Sequence, residues 1–423
     1  MREMKDSGIE WIGEIPKEWK IDKIKYHLKR NEPKNHGNAI VLSVYRDYGV
    51  IPKDSRDDNH NVTSEDTSKY KYVKKGQLVI NKMKAWQGSL AVSDYNGIVS
   101  PAYFIYDFTD EEYNHKYFHY LVRSCYKEEF KRISGGIREG QWDLSPEAFA
   151  NTLALLPPLV EQKYIANYLD IQCSEIDATA EDIQKEISLL EEYKKSVITE
   201  AVTKGLNPDA EMKDSGIKWI GKIPINWQAV NPRWLFAQRK DRAKKGMEQY
   251  TASQKYGVIS QKDYMNRIGG SIVTVQKDFD ILKMVCEGDF VIHMRSFQGG
   301  LEYSKHTGSI SSAYVMLIPQ KNTGECRYFK WLFKSASYIN ALQSTSNLIR
   351  DGQAMRYSNF IQIIIPYPPL DEQQQIADYL DSKCSEIDAI IADKKRQLDI
   401  LADYKKSLIY EYVTGKKEVP VHE

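Results

Sequence analysis

Two stretches of this chain carry apolar residues at alternating steps of four and three, and they do so in one register. The first runs Ile176, Ala180, Ile183, Ile187, Leu190, Lys194, Val197, Ala201, and the second Ile387, Ile391, Lys394, Leu398, Leu401, Lys405, Leu408, Tyr412. Such a stripe, sustained for about four heptads with charged residues on the other faces, predicts long helices that pair through a narrow seam. The seam residues are Ile176, Ile183, Ile187, Leu190 and Val197 on one helix and Ile387, Ile391, Leu398, Leu401 and Leu408 on the other. The alternative is two separate amphipathic helices, each lying on its own domain's core.

The stretches around them are repeats of each other. Pro157-Pro158-Leu159-Val160-Glu161-Gln162 returns as Pro368-Pro369-Leu370-Asp371-Glu372-Gln373, Ile176-Asp177-Ala178 as Ile387-Asp388-Ala389, and Tyr193-Lys194-Lys195-Ser196 as Tyr404-Lys405-Lys406-Ser407, at a constant offset of 211. Pro-Pro bars helix before it and tolerates one after it. Each copy therefore reads as a short helix, a break near Cys173 or Cys384 with Asp170 or Ser174 as the next cap, and a long helix of roughly 30 residues, ~45 Å at 1.5 Å per residue.

A second repeat precedes each globular stretch. Gly8-Ile9-x-Trp11-Ile12-Gly13-x-Ile15-Pro16-x-x-Trp19 matches Gly216-Ile217-x-Trp219-Ile220-Gly221-x-Ile223-Pro224-x-x-Trp227. Aromatic, Gly and Pro residues at fixed spacing predict a turn-rich clasp with buried tryptophans. The globular stretches are related but diverged: Tyr48-Gly49-Val50-Ile51 answers Tyr256-Gly257-Val258-Ile259, and Met83-Lys84-Ala85-Trp86-Gln87-Gly88 answers Met294-Arg295-Ser296-Phe297-Gln298-Gly299. Short apolar runs broken by Gly predict strands, and 111–132 and 325–343 predict helices. The expected fold is α/β (α+β) with mainly antiparallel or mixed sheets: clasp plus globular domain over 1–156, helices over 157–205, clasp plus domain over 206–367, helices and tail over 368–423. Pairing of the long helices would run them antiparallel and put the two globular domains at opposite ends.

The net charge of +1 conceals a partition. Residues 228–367 hold 19 basic and 10 acidic residues, net +9, and residues 20–156 are net +3. The helical stretches 157–205 and 368–423 are net −5 and −4. Cationic globular parts suit a polyanion; acidic helices suit a protein partner or solvent. The five cysteines form no C-x-x-C pair and the eight histidines no helical cluster, so neither a disulfide framework nor a metal site is expected. No apolar run approaches a membrane span and the N-terminus lacks a signal peptide's apolar core, which points to a cytoplasmic protein.

Catalytic signatures are missing. The chain has no G-x-x-x-x-G-K-[ST] loop, and Pro208-Asp209 followed by Glu211-x-Lys213 is spaced too closely to hold a metal between two strands. Recognition remains. Lys84, Trp86 and Gln87, with Arg295 and Gln298, sit at a turn before a glycine; Arg138 and Gln141, with Arg350 and Gln353, sit in Gly-bearing loops. Arg, Lys and Gln offer hydrogen bonds to base edges, and glycine lets backbone approach a phosphate. The same residues could equally be scaffold or phosphate contacts, since they recur in both domains.

The doubled Pro-Pro-Leu-x-Glu-Gln…Ile-Asp-Ala…Tyr-Lys-Lys-Ser element, the clasp, and their order along nearly the whole chain resemble the DNA-specificity subunit of type I restriction–modification enzymes. The resemblance implies two target recognition domains that each read half of a split sequence in double-stranded DNA. It also implies paired helices that set the spacer and dock two methyltransferase subunits, with restriction/motor subunits completing the complex. S-adenosylmethionine, ATP and magnesium would belong to those partners and no cofactor, metal or catalytic residue to this chain. Two other readings stay open on the residues alone: a protein-interaction scaffold that never touches bases, and a nuclease in its own right.

Overall fold

The first globular domain is closed by the two ends of its own segment. Lys20–Lys23, which leaves the clasp, pairs antiparallel with Leu153–Leu156, which runs into Pro157-Pro158. Gln228–Val230 and Ile365–Tyr367 do the same in the second domain. Description of the chain rests on a computed structural model that covers residues 2–34, 39–46, 48–56, 66–136, 142–270, 281–345 and 355–420. It forms two units, one of Met1–Ile183 with Arg396–Glu423 and one of Gln184–Lys395.

In the first unit a four-stranded antiparallel sheet has the order Leu28–Arg30, Tyr103–Phe108, Leu78–Asn81, Leu90–Val92. Its side chains alternate as a period of two requires. Leu78 and Ile80 face a large core with Trp19, Tyr117, Phe118, Phe130 and Phe149, while Val79 and Ile105 face a smaller one with Leu42, Val44 and Val50. The second unit repeats this with Phe236–Gln238, Val315–Pro319, Phe290–Ile292 and Glu302–Tyr303. Phe290 and Ile292 face Trp227, Phe236, Phe329 and Phe333; Val291 faces Tyr250, Ala252 and Val258. Each fully buried large side chain contributes about 1.5–3 kcal/mol.

The helical regions are more finely divided than the sequence pattern predicts. The stretch 111–132 becomes His115–Ser124 and Lys127–Ile133, and 325–343 becomes Cys326–Leu332 and Ala336–Ser344. In the second pair the break is chemical: the Ser335 hydroxyl accepts the Tyr338 N–H and starts a new helix.

The long segments depart from expectation in the opposite sense. They are single unbroken helices, Leu159–Lys204 of 46 residues and Leu370–Val413 of 44, with no break at Cys173 or Cys384. Neither segment contains Gly or Pro, so nothing forces a stop. Asp170, read as a cap, instead accepts the Tyr120 hydroxyl at 2.9 Å and pairs with Lys116. Its counterpart Asp381 accepts the Trp331 indole N–H at 2.9 Å. Cys173 and Cys384 are buried free thiols.

Each unit holds the start of one long helix against the end of the other, antiparallel. In the first, Tyr168 meets Tyr412 with ring centroids 4.6 Å apart, and Asp177 accepts Lys405 Nζ at 2.6 Å. In the second, Asp388 accepts Lys194 Nζ at 2.6 Å, and Glu186 pairs with Lys394. Ile183, Ile187, Val197, Ile387, Ile391 and Leu408 are buried, and Ile176, Leu190, Leu398 and Leu401 half-buried. The helices also enter the domain cores: Leu408, Tyr412 and Val413 join the first, and Val197, Ile198, Ala201 and Val202 the second. The two alternatives raised by the heptad pattern are thus both realised, at different points along the same helices.

The helix ends demand glycine. Gly205 and Gly415 take φ of 80° and 70°, a left-handed terminus that L residues resist. A Cβ on Gly415 would stand 2.5 Å from Pro16 and 2.8 Å from Trp19, so the clasp is packed directly on that turn.

Candidate nucleic-acid interface

The repeated Glu-Gln pair at each helix start explains why the domains sit firmly on the rods. Gln162 is fully buried; its Oε1 accepts the Asn114 N–H at 2.8 Å, and its amide donates to Pro157 O at 2.8 Å and Glu112 O at 2.7 Å. Gln373 accepts the Glu325 N–H at 2.9 Å and donates to Pro368 O at 2.8 Å. Glu161 accepts the Trp19 indole N–H at 2.9 Å, and Glu372 that of Trp227 at 2.7 Å. The Tyr117 hydroxyl donates to Val413 O at 2.9 Å, and Tyr328 to Val202 O at 3.0 Å.

On this frame each domain builds a cationic, aromatic corner. In the first, the strand Leu78–Asn81 runs into a 3-10 turn, Ala85–Gln87, closed by Gly88 at φ 93°. Buried Ala85 anchors the turn; Lys84 is exposed, Trp86 and Gln87 half-buried. Trp86 donates its indole N–H to Met83 O at 3.1 Å and packs on Trp142, ring centroids 5.4 Å apart. Lys82 Nζ reaches Asp143 at 2.8 Å, and the Leu144 N–H donates to Lys82 O at 3.0 Å. The segment that follows 137–141 is therefore tied to this turn. Arg138 and Gln141 lie outside the described residues, as do Arg350 and Gln353.

The matching turn of the second domain, Ser296–Gly299, carries exposed Arg295 and Gln298. Gln254 donates to Arg295 O at 3.0 Å, which ties the turn to the hairpin Tyr250–Ser253/Gly257–Ser260. That hairpin's tip presents Lys255 and Tyr256, with Lys255 and Arg267 each 5.1 Å from the Tyr256 ring centroid. In the first domain the hairpin Leu42–Tyr45/Gly49–Pro52 presents Arg46 and Tyr48. Arg56 stacks over Tyr48 at 4.3 Å, and Arg46 lies against Gly88. Cations held over rings in this way keep their charge while restricting side-chain freedom.

Sequence reasoning missed these hairpin residues. The signal was present in the repeated Tyr-Gly-Val-Ile, which reads as a strand; its tyrosine stands at the exposed tip of a hairpin in the first domain and half-buried in the second. Among the described residues no group of three or more His, Cys, Asp or Glu could hold a metal ion, and no helix is long and apolar enough to cross a membrane. Glu211 and Lys213 lie exposed on the second clasp hairpin, Met212–Asp214 with Lys222–Pro224.

Comparison with known proteins gives concordant matches. Residues 224–399 match the model of the type I restriction modification DNA specificity domain. The MjaVIII type I restriction enzyme specificity subunit of Methanocaldococcus jannaschii is 23% identical over 96% of this chain and 94% of its own length. Among solved structures, a chain from a study of type I R-M complex assembly and conformational transition shares the fold at TM-score 0.69 and 14% identity, covering 95% of this chain and 99% of that one. The HsdS subunit from Thermoanaerobacter tengcongensis shares it at TM-score 0.53 and 14% identity, covering 95% and 98%. With the domain match over 224–399, similarity at 23% identity along nearly the full length and a shared fold, the chain is similar to the specificity subunits of type I restriction–modification systems.

Proposed function

We propose that this chain is the non-catalytic, sequence-specific DNA-binding subunit of a type I restriction–modification complex. Residues 1–156 and 206–367 would each read one half of a bipartite target, and 157–205 with 368–423 would form the spacer that receives the methyltransferase subunits. The observation that carries the reading is the duplicated corner. A glycine-bearing turn (Lys84–Gly88, Arg295–Gly299) abuts a hairpin tip rich in cations and tyrosine in both domains. Cationic side chains supply the salt-sensitive attraction to phosphates, and Lys, Arg and Gln supply donors for base edges.

Two methyltransferase subunits would bring S-adenosylmethionine and methylate adenine, and restriction/motor subunits would bring ATP and magnesium. Exchanging 228–367 for the corresponding segment of a relative tests the modular part of the reading. The methylated-adenine map of host DNA should then change in one half of the target only; a change in both halves, or no dependence on this gene, refutes it.

A further inference from the structure

Each clasp seats its last tryptophan on the glutamate at the start of a long helix, and the two seats differ in what else that glutamate holds. In the first unit Arg2 reaches across to Glu161. Its Nη2 donates to Oε2 at 2.9 Å and its Nη1 to Oε1, a bidentate pair. The guanidinium lies 5.8 Å from the Trp19 ring centroid, and Nη2 also reaches Glu18 at 3.3 Å. Trp19 completes the cradle by donating to Glu161.

The second clasp follows the first at an offset of 208, as Trp19 and Trp227 or the bonds Lys17 N–H to Glu3 O and Ile225 N–H to Glu211 O show. At that offset Arg2 becomes Ala210 and Glu18 becomes Asn226. The cradle survives: Glu372 accepts the Trp227 indole N–H at 2.7 Å and an Asn226 amide hydrogen. The guanidinium does not. Where it would sit, the structure has a cavity of about 310 Å³ lined by Lys204, Gly205, Ala210, Asn226, Glu372 and Ile376, among others. A carboxylate accepts about four hydrogen bonds. Glu161 takes three, one from Trp19 and two from Arg2, and Glu372 takes two. The neighbouring Lys204 ammonium is turned toward Glu200, 3.4 Å away.

We infer that this cavity is a binding site for a peptide-borne arginine, whose guanidinium would pair with Glu372 as Arg2 pairs with Glu161. The first repeat shows the geometry filled from within the chain, and the second offers the same carboxylate and indole to an arginine from another polypeptide. A planar fork matches the carboxylate edge, whereas an ammonium does not, so lysine is a poor substitute. Glu372 is the one carboxylate lining the cavity, and the Lys204 ammonium there is engaged by Glu200, so the amino acid's own termini add nothing. Asn226 in place of Glu18 removes one negative charge, which leaves the site weaker than its filled counterpart and suits a reversible contact.

The test uses the full chain and follows the Trp227 indole N–H resonance, assigned through Trp227→Phe. Titration with N-acetyl-arginine methylamide should shift it saturably, with free L-arginine binding no tighter and N-acetyl-lysine methylamide at least fivefold weaker. Glu372→Gln should weaken the shift at least fivefold. Ala210→Arg should abolish the response and raise the thermal midpoint by roughly 1–4 °C by filling the cradle from within. Equal response to the arginine and lysine compounds, tighter binding of free arginine than of the blocked form, or an Ala210→Arg chain that still responds would each overturn the assignment.

Discussion

Replacing Gln162 with alanine tests the bond between the first domain and its helix. The side chain is wholly buried and satisfies three backbone groups: the Asn114 N–H, Pro157 O and Glu112 O. Asn114 in turn caps His115–Ser124, its side chain accepting the Tyr117 N–H. Truncation leaves all three groups without their partner. Each buried group so stranded costs about 1–3 kcal/mol, and water entering the vacated space recovers part of that, so the net loss should be roughly 3–5 kcal/mol. Gln162→Met, which keeps the length but cannot donate or accept in the same way, should lose a similar amount. Lys163→Ala, on the exposed face next door, should change stability by less than about 0.5 kcal/mol. Urea titration gives the stability change, and amide hydrogen exchange at Asn114 and Tyr117 locates it. A Gln162→Ala chain within about 1 kcal/mol of the parent, with those amides as protected as before, would refute the reasoning.

Three further outcomes follow from the geometry. Asp177→Asn and Asp388→Asn should each lose only about 0.2–1 kcal/mol because their lysine pairs are exposed, and double-mutant cycles with Lys405 and Lys194 should show the coupling shrink at 1 M salt. If Lys84 or Arg295 meets a phosphate, alanine there should lower the salt slope of DNA binding by the assembled complex by about one; an unchanged slope would remove these residues from the interface. His119 has its pKa pushed down to about 3, by burial first and then by the neighbouring Arg123 charge. The unfolded chain therefore binds the extra proton first. The histidine's contribution is complete above pH ~6.5 and falls by up to roughly 1.4 kcal/mol per pH unit down toward pH 3, and His119→Gln should flatten that part of the pH–stability curve.

The doubled motifs made the repeated organisation of the chain legible in its sequence, because a repeat at constant offset reports equivalent environments whatever the environment is. Their purposes were less readable. Lys194 and Lys405 interrupt an apolar stripe, and only the antiparallel pairing shows that each reaches an aspartate of the opposite helix. Asp170 has a capping residue's chemistry, yet Lys116 and Tyr120, some fifty positions earlier in the chain, claim it. Local propensity cannot see partners brought in by tertiary packing. The turn at Lys84–Gly88 was legible from its glycine and polar residues. The hairpin tips beside it were hidden because strand-like runs say nothing about which end meets a neighbour.

The helix ends that complete each core set an order of events during synthesis. Leu408, Tyr412 and Val413 belong to the core of the domain made first. The ribosome must translate about 257 further residues after Leu156 before they exist, roughly 10–50 s at usual elongation rates. Through that interval the earliest-made domain waits with an apolar face open, and any message cut short before the last turn of the final helix leaves it so.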